Sequence, residues 1–73
     1  MVTQIVMDHS GDSRYTFNPS DADAVIIAEA RFRELTSLGF TAAVRRPSGE
    51  PALVRKFDPN ADETLFFPRL VGG

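Results

Sequence analysis

The pattern of hydrophobic and polar positions opens with Thr3 to Met7, a run rich in β-branched and apolar residues. A period of two puts Ile5 and Met7 on one face and excludes Gln4 and Asp8 from it, which predicts a first strand. Ser10, Gly11, Asp12 and Ser13 are turn formers. The following stretch, Arg14 to Asn18, sets Tyr15 and Phe17 between polar positions, so the two runs read as a hairpin. The period then changes. Val25, Ala28, Phe32, Leu35 and Leu38 recur at helical spacing, with Glu29, Arg33 and Ser37 opposite. Pro19 suits a helix entry, Ser20 and Asp23 have the spacing of a capping box, and the helix is expected to begin near Asp21. Gly39 is placed to stop it in a left-handed conformation. Ile26 falls among the polar positions, so either it is partly exposed or the stripe is rotated.

Beyond Gly39, Phe40, Ala42 and Val44 alternate with Thr41, Ala43 and Arg45. Pro47, Ser48 and Gly49 mark a turn, and a second run from Ala52 to Phe57 completes another hairpin. Asp58 to Ala61 breaks the pattern before a compact apolar run, Thr64 to Phe67, with strand character. The order is strand, strand, helix, strand, strand, strand, with one helix to cover one face of a mixed sheet. The expected fold is α+β of the β-grasp (ubiquitin-like) type. A helix on a plain antiparallel meander is the competing arrangement, because element order leaves the pairing open. The expected division is a domain over 1–68 and a flexible tail over 69–73.

Length and composition narrow the function classes. With 73 residues there is material for one core and none to spare for a second domain or a deep catalytic cleft. The reading is therefore a non-enzyme with no cofactor of its own. The net charge of -2 offers no general attraction to nucleic acid or an anionic membrane. The chain has no Cys and one His, His9, which removes thiolate metal sites, cysteine nucleophiles and histidine-rich metal sites. Met1 to His9 carries polar residues and an acid where a secretory signal needs a basic start and a long apolar run, and a cytoplasmic location is expected.

The most pointed chemistry is at the end of the sequence. An apolar strand runs into Pro68, which cannot donate to a continuing ladder, and then into Arg69, Leu70, Val71, Gly72 and Gly73. Paired glycines suit a tail that threads a narrow channel, since no side chain obstructs the approach to the carboxylate. A carboxylate is a poor electrophile and needs activation, most simply as an acyl-adenylate made with ATP by a partner. In this reading Gly73 carries the reactive carboxylate, Gly72 permits its approach, and Arg69, Leu70 and Val71 offer side chains for a partner to grip. Chance is the alternative. At about 7% glycine usage, a terminal pair arises by accident on the order of once in 200 chains.

Asp62, Glu63, Phe66, Phe67, Pro68, Gly72 and Gly73 together resemble the ending of sulfur carriers such as the molybdopterin-synthase small subunit and the thiamine-type carriers. More loosely, the whole chain resembles the small ubiquitin-like modifiers of bacterial ubiquitination-like operons. The first resemblance implies a C-terminal thiocarboxylate formed after adenylation. The second implies an activating enzyme, a conjugating enzyme, a deconjugating metallopeptidase and a protein target, in a pathway linked to antiviral defence. Asp8 to Ser13 replaces the apolar opening of the sulfur carriers, which ranks the modifier first and the carrier second. A β-grasp module that binds partners without conjugation is the third reading.

Four further features carry weaker readings. Lys56 is the only lysine, so self-conjugation through lysine would fall there; a solvated strand residue is the more ordinary explanation, since lysine is mostly exposed in any fold. Arg45, Arg46, Arg55 and Lys56 are expected close together across the second hairpin, as a basic docking patch or as charges that protect a sheet edge. Asp8, His9 and Ser10 have the residue types of a hydrolytic triad but are too close in sequence to adopt its geometry. Asp58, Asp62 and Glu63 lack the ligand density of a calcium loop.

Overall fold

The structure, a computed structural model, describes residues 1–45 and 50–68. Its elements are β1 (Val2–Asp8), β2 (Gly11–Phe17), α1 (Ala22–Ser37), β3 (Phe40–Arg45), β4 (Pro51–Val54) and β5 (Glu63–Pro68). They form a small α+β fold with one helix and a five-stranded mixed sheet in the order β2-β1-β5-β3-β4. β1 and β5 run parallel, and the other three pairings are antiparallel. An antiparallel meander is thereby ruled out, because the first and last strands are neighbours. No helix among the described residues is long and apolar enough to cross a membrane.

The first hairpin turns one step earlier than the turn-forming residues suggest. Asp8 pairs with Gly11, so His9 and Ser10 make the tip, while Gly11, Asp12 and Ser13 belong to β2. Gly11 has φ +124°, open to glycine and strained for any other residue. The helix starts where expected but with a different cap. Asp21, in extended conformation, accepts from the backbone N–H of Asp23 at 3.1 Å and of Ala24 at 3.2 Å. Ser20 instead gives its backbone N–H to Asn18 Oδ1 in the preceding turn. At the other end Gly39, at φ +98°, reverses the chain and donates to Thr36 O.

The core lies between α1 and one face of the sheet. Ala28 and Phe32 are the buried helix positions, and the Phe32 ring meets Phe66 edge-on at 5.7 Å between centroids. Val6, Ala42 and Phe66 surround Phe32, while Val2, Phe17 and Ala28 form the neighbouring cluster. Ile26 is 65% exposed, which leaves the core stripe centred on Ala28 and Phe32; Leu38, expected in that stripe, is the C-cap residue and 69% exposed.

On β1 the face turned to the helix is Val2, Gln4 and Val6, a choice that the alternation along the strand leaves open. Ile5 is buried too, on the opposite face, because β1 is an inner strand with a neighbour on each edge. β4 ends at Val54, so Phe57 is not a strand residue. It packs instead against both core clusters and meets Phe32 edge-on at 6.0 Å. Ala61, fully buried, and the Asp62 carbonyl, which accepts from Thr3 N–H, bring the chain back into β5.

Candidate functional site

β5 is the middle strand of the sheet, held by β1 on one edge and β3 on the other. Thr64 and Phe66 point under the helix and are buried, while Leu65 and Phe67 lie on the open face and are half-buried. Pairing is unequal along its length. β1 accompanies β5 only from Glu63 to Phe66, whereas β3 continues to the Phe40–Pro68 pair. The last two residues of β5 are therefore held on one edge, and Pro68 has no N–H to bind a continuing neighbour. The described part of the strand ends at the side of the sheet that also holds Gly39 and the C-terminus of α1.

Gly72, Gly73, Arg69, Leu70 and Val71, the residues to which the sequence assigns activation and grip, lie outside the described residues, as does Arg46. What is described is the base from which they extend. Beside it, across β3, an open cleft of about 570 Å³ is lined by Phe40, Ala42, Val54, Leu53, Thr36 and Arg55 among others. Leu53 is 72% exposed at its rim.

Among the described residues of the expected basic patch, Arg45 is not brought together with Arg55 and Lys56 as the hairpin reading expects. Arg45 pairs with Pro51 and Ala42 with Val54, so Arg45 stands at the turn end of the hairpin and Arg55 just past the other end. Arg45 is also directed at Glu63 of β5, with Nε 3.8 Å from the carboxylate. Arg55 and Lys56 are adjacent in an exposed bend after β4. Lys56 is thus accessible, as either a solvated residue or an acceptor amine must be.

At the first hairpin, Ser10 donates from its backbone N–H and its hydroxyl to the same Asp8 oxygen, at 2.8 and 2.5 Å. The serine hydroxyl, above all, holds the Asp8 carboxyl below its ordinary value, with the backbone N–H of Ser10 adding to the effect. Ser10 is thus bound to the acid rather than to a base, the geometry of an Asx-type turn. In the second acidic segment Asp58 accepts from Asn60 N–H at 2.9 Å, another local turn. Among the described residues no group of three or more His, Cys, Asp or Glu is placed to hold a metal ion.

One polar element escaped the sequence reading. Gln4 is fully buried; its Nε2 donates to the Ala28 carbonyl at 2.9 Å and its Oε1 accepts from Arg31 Nε at 3.2 Å. The Arg31 guanidinium lies 5.1 Å over the Tyr15 ring. This chain of contacts fastens the middle of α1 over β1 and β2. The period of two did carry a signal: a glutamine in register with Val2 and Val6 has to be satisfied wherever they are buried.

No protein-family model, curated protein or solved structure matches the chain.

Proposed function

We propose that this chain is a ubiquitin-like small modifier of β-grasp type, activated at the carboxylate of Gly73 and joined by it to an amine of a protein target. The observation that carries the reading is the sheet order β2-β1-β5-β3-β4 under a single helix, with the last strand in the middle and parallel to the first. A β-grasp requires that arrangement. It also directs the chain from a firmly anchored strand, buried at Thr64 and Phe66, into a segment ending in Gly72 and Gly73. An anchored base and an unobstructed tip are what a tail needs to enter another protein's active site.

The chemistry follows from what the chain lacks. A partner enzyme would join the Gly73 carboxylate to the α-phosphorus of ATP, releasing pyrophosphate. A nucleophile would then take the acyl group and release AMP. With no Cys in the chain, the sulfur of any thioester intermediate belongs to the partner. The final acceptor is a lysine ε-amine or an N-terminal amine. The modifier acts as substrate throughout, and Gly73 serves equally as an encoded terminus or as one exposed by trimming.

The test is mass spectrometry of the tagged full chain recovered under denaturing conditions from its native host. Trypsin cuts after Arg69, so a conjugated target lysine would retain the remnant Leu70 to Gly73. Finding that remnant, and losing it when Gly72 and Gly73 are deleted, is the expected result. A sulfur-for-oxygen mass increase at Gly73 with no remnant would assign the chain to the sulfur carriers instead. Neither signal, with partner binding unaffected by the deletion, would leave a non-conjugated binding module.

A further inference from the structure

α1 carries a second organised face. Ala28 and Phe32 turn one side of the helix into the core, and Asp23, Ile26, Ala30 and Arg33, spaced three, four and three apart, follow one another along the opposite side. All four are exposed, Ile26 by 65%, and the adjoining Ile27 by 51%. Two neighbouring isoleucines on a solvent face are not explained by the fold. Scattered apolar residues are ordinary on a surface, but here they are centred in a pattern with an acid at one end and a base at the other.

That pattern is complementary to itself. We infer that this face pairs with the same face of a second copy, the helices antiparallel about a two-fold axis. In the register that sets Ile26 against Ala30 of the second copy, the large side chain meets the small one and Asp23 meets Arg33. The two-fold symmetry repeats both contacts. Sliding by one residue, to set Ile27 against Ala30, brings Asp23 against Glu34, so like charges disfavour that alternative. Arg33 is not committed elsewhere: its partner within the helix, Glu29, is 3.8 Å away in an exposed pair that yields readily to a better placed carboxylate. Ala30, with no bulk beyond Cβ, allows the close approach that helix packing needs.

The partner is therefore a second copy of this chain, and the association is weak. One face of a helix about 24 Å long buries well under the roughly 800 Å² per partner of a stable complex. A dissociation constant of about 0.1–1 mM is expected, within reach where copies are held near one another. The inference is independent of the function proposed for the tail.

A charge-swap experiment tests it, using sedimentation and concentration-dependent amide chemical shifts of the full chain up to millimolar concentration. The wild type should self-associate, with shifts confined to the outer face of α1. Asp23→Arg alone and Arg33→Asp alone each create two like-charge contacts and should weaken association on the order of tenfold. An equimolar mixture of the two variants restores both opposite-charge pairs and should associate as the wild type does. Ile26→Glu should abolish association. A wild type that stays monomeric at millimolar concentration would overturn the inference, as would shifts on another surface. So would a mixture that associates no better than its components, with circular dichroism confirming that both variants are folded.

Discussion

The amide of Gln4, on β1, donates to the main-chain carbonyl of Ala28, in the middle of α1, at 2.9 Å. It is a buried polar bond between elements far apart in the sequence, and its other end is satisfied by Arg31. Most of the remaining buried surface between helix and sheet is apolar, which specifies position loosely; a buried donor aimed at one carbonyl fixes rotation and height.

Removing that bond has a predictable cost. Gln4→Ala loses the hydrogen bonds and leaves a cavity, and should destabilise the fold by about 2–4 kcal/mol. Gln4→Met keeps most of the volume and loses only the bonds, so about 1–2 kcal/mol is expected. Urea unfolding of both variants measures the difference. Equal losses would mean that Gln4 contributes through its hydrogen bonds alone, and no loss in the methionine variant would mean that it contributes through volume alone.

The helix cap separates two readings of the same segment. Asp21, whose carboxylate accepts two first-turn N–H groups, should cost about 1 kcal/mol when changed to Ala. Ser20→Ala, at a side chain with no capping role in the structure, should stay within about 0.5 kcal/mol of the wild type. Thermal unfolding monitored by circular dichroism tests the pair.

Phe57 is a half-buried residue from the segment after β4 that touches both core clusters. Phe57→Ala should cost about 2–4 kcal/mol, below the upper range for a fully buried ring. Phe57→Leu should recover most of the loss. Chemical denaturation is sufficient, and a loss under 1 kcal/mol for the alanine variant would show that the ring is dispensable.

Asp8 titrates below the ordinary carboxylate range because the Ser10 hydroxyl and backbone N–H stabilise its ionised form. A group with a depressed folded-state pKa contributes stability that is present above the unfolded value, about 3.9, and is lost as pH falls through the folded value. Ser10→Ala should move the Asp8 titration upward towards that ordinary value, with any loss of stability showing at neutral pH and vanishing as the pH falls through the folded value. Side-chain carboxyl shifts followed by NMR from pH 2 to 6 provide the readout.

Much of the architecture was legible in the amino-acid pattern because it is local. The change from a period of two to a helical period and back marks the hairpins and the helix, and Gly39 marks the stop. Ile26 was legible as a residue out of place, and the structure puts it in solvent. Turn-forming residues were less informative. Gly11, Asp12 and Ser13 sit inside β2, an edge strand whose residues from Gly11 to Arg14 are exposed and where polar residues cost little.

The sequence by itself determined the number, kind and order of elements and the diglycine towards which the last strand leads, since those depend on neighbours along the chain. Only the tertiary structure decided which face of β1 meets the helix, because Val2 and Val6 on one side and Ile5 on the other are all apolar and a period of two cannot choose between two buried faces. It also decided that β5 enters between β1 and β3, which sets Arg45 beside Glu63, and that Phe57 closes the core from outside any strand. Each of these depends on contacts between residues distant in sequence, whose free energy is gained only when the whole sheet is assembled.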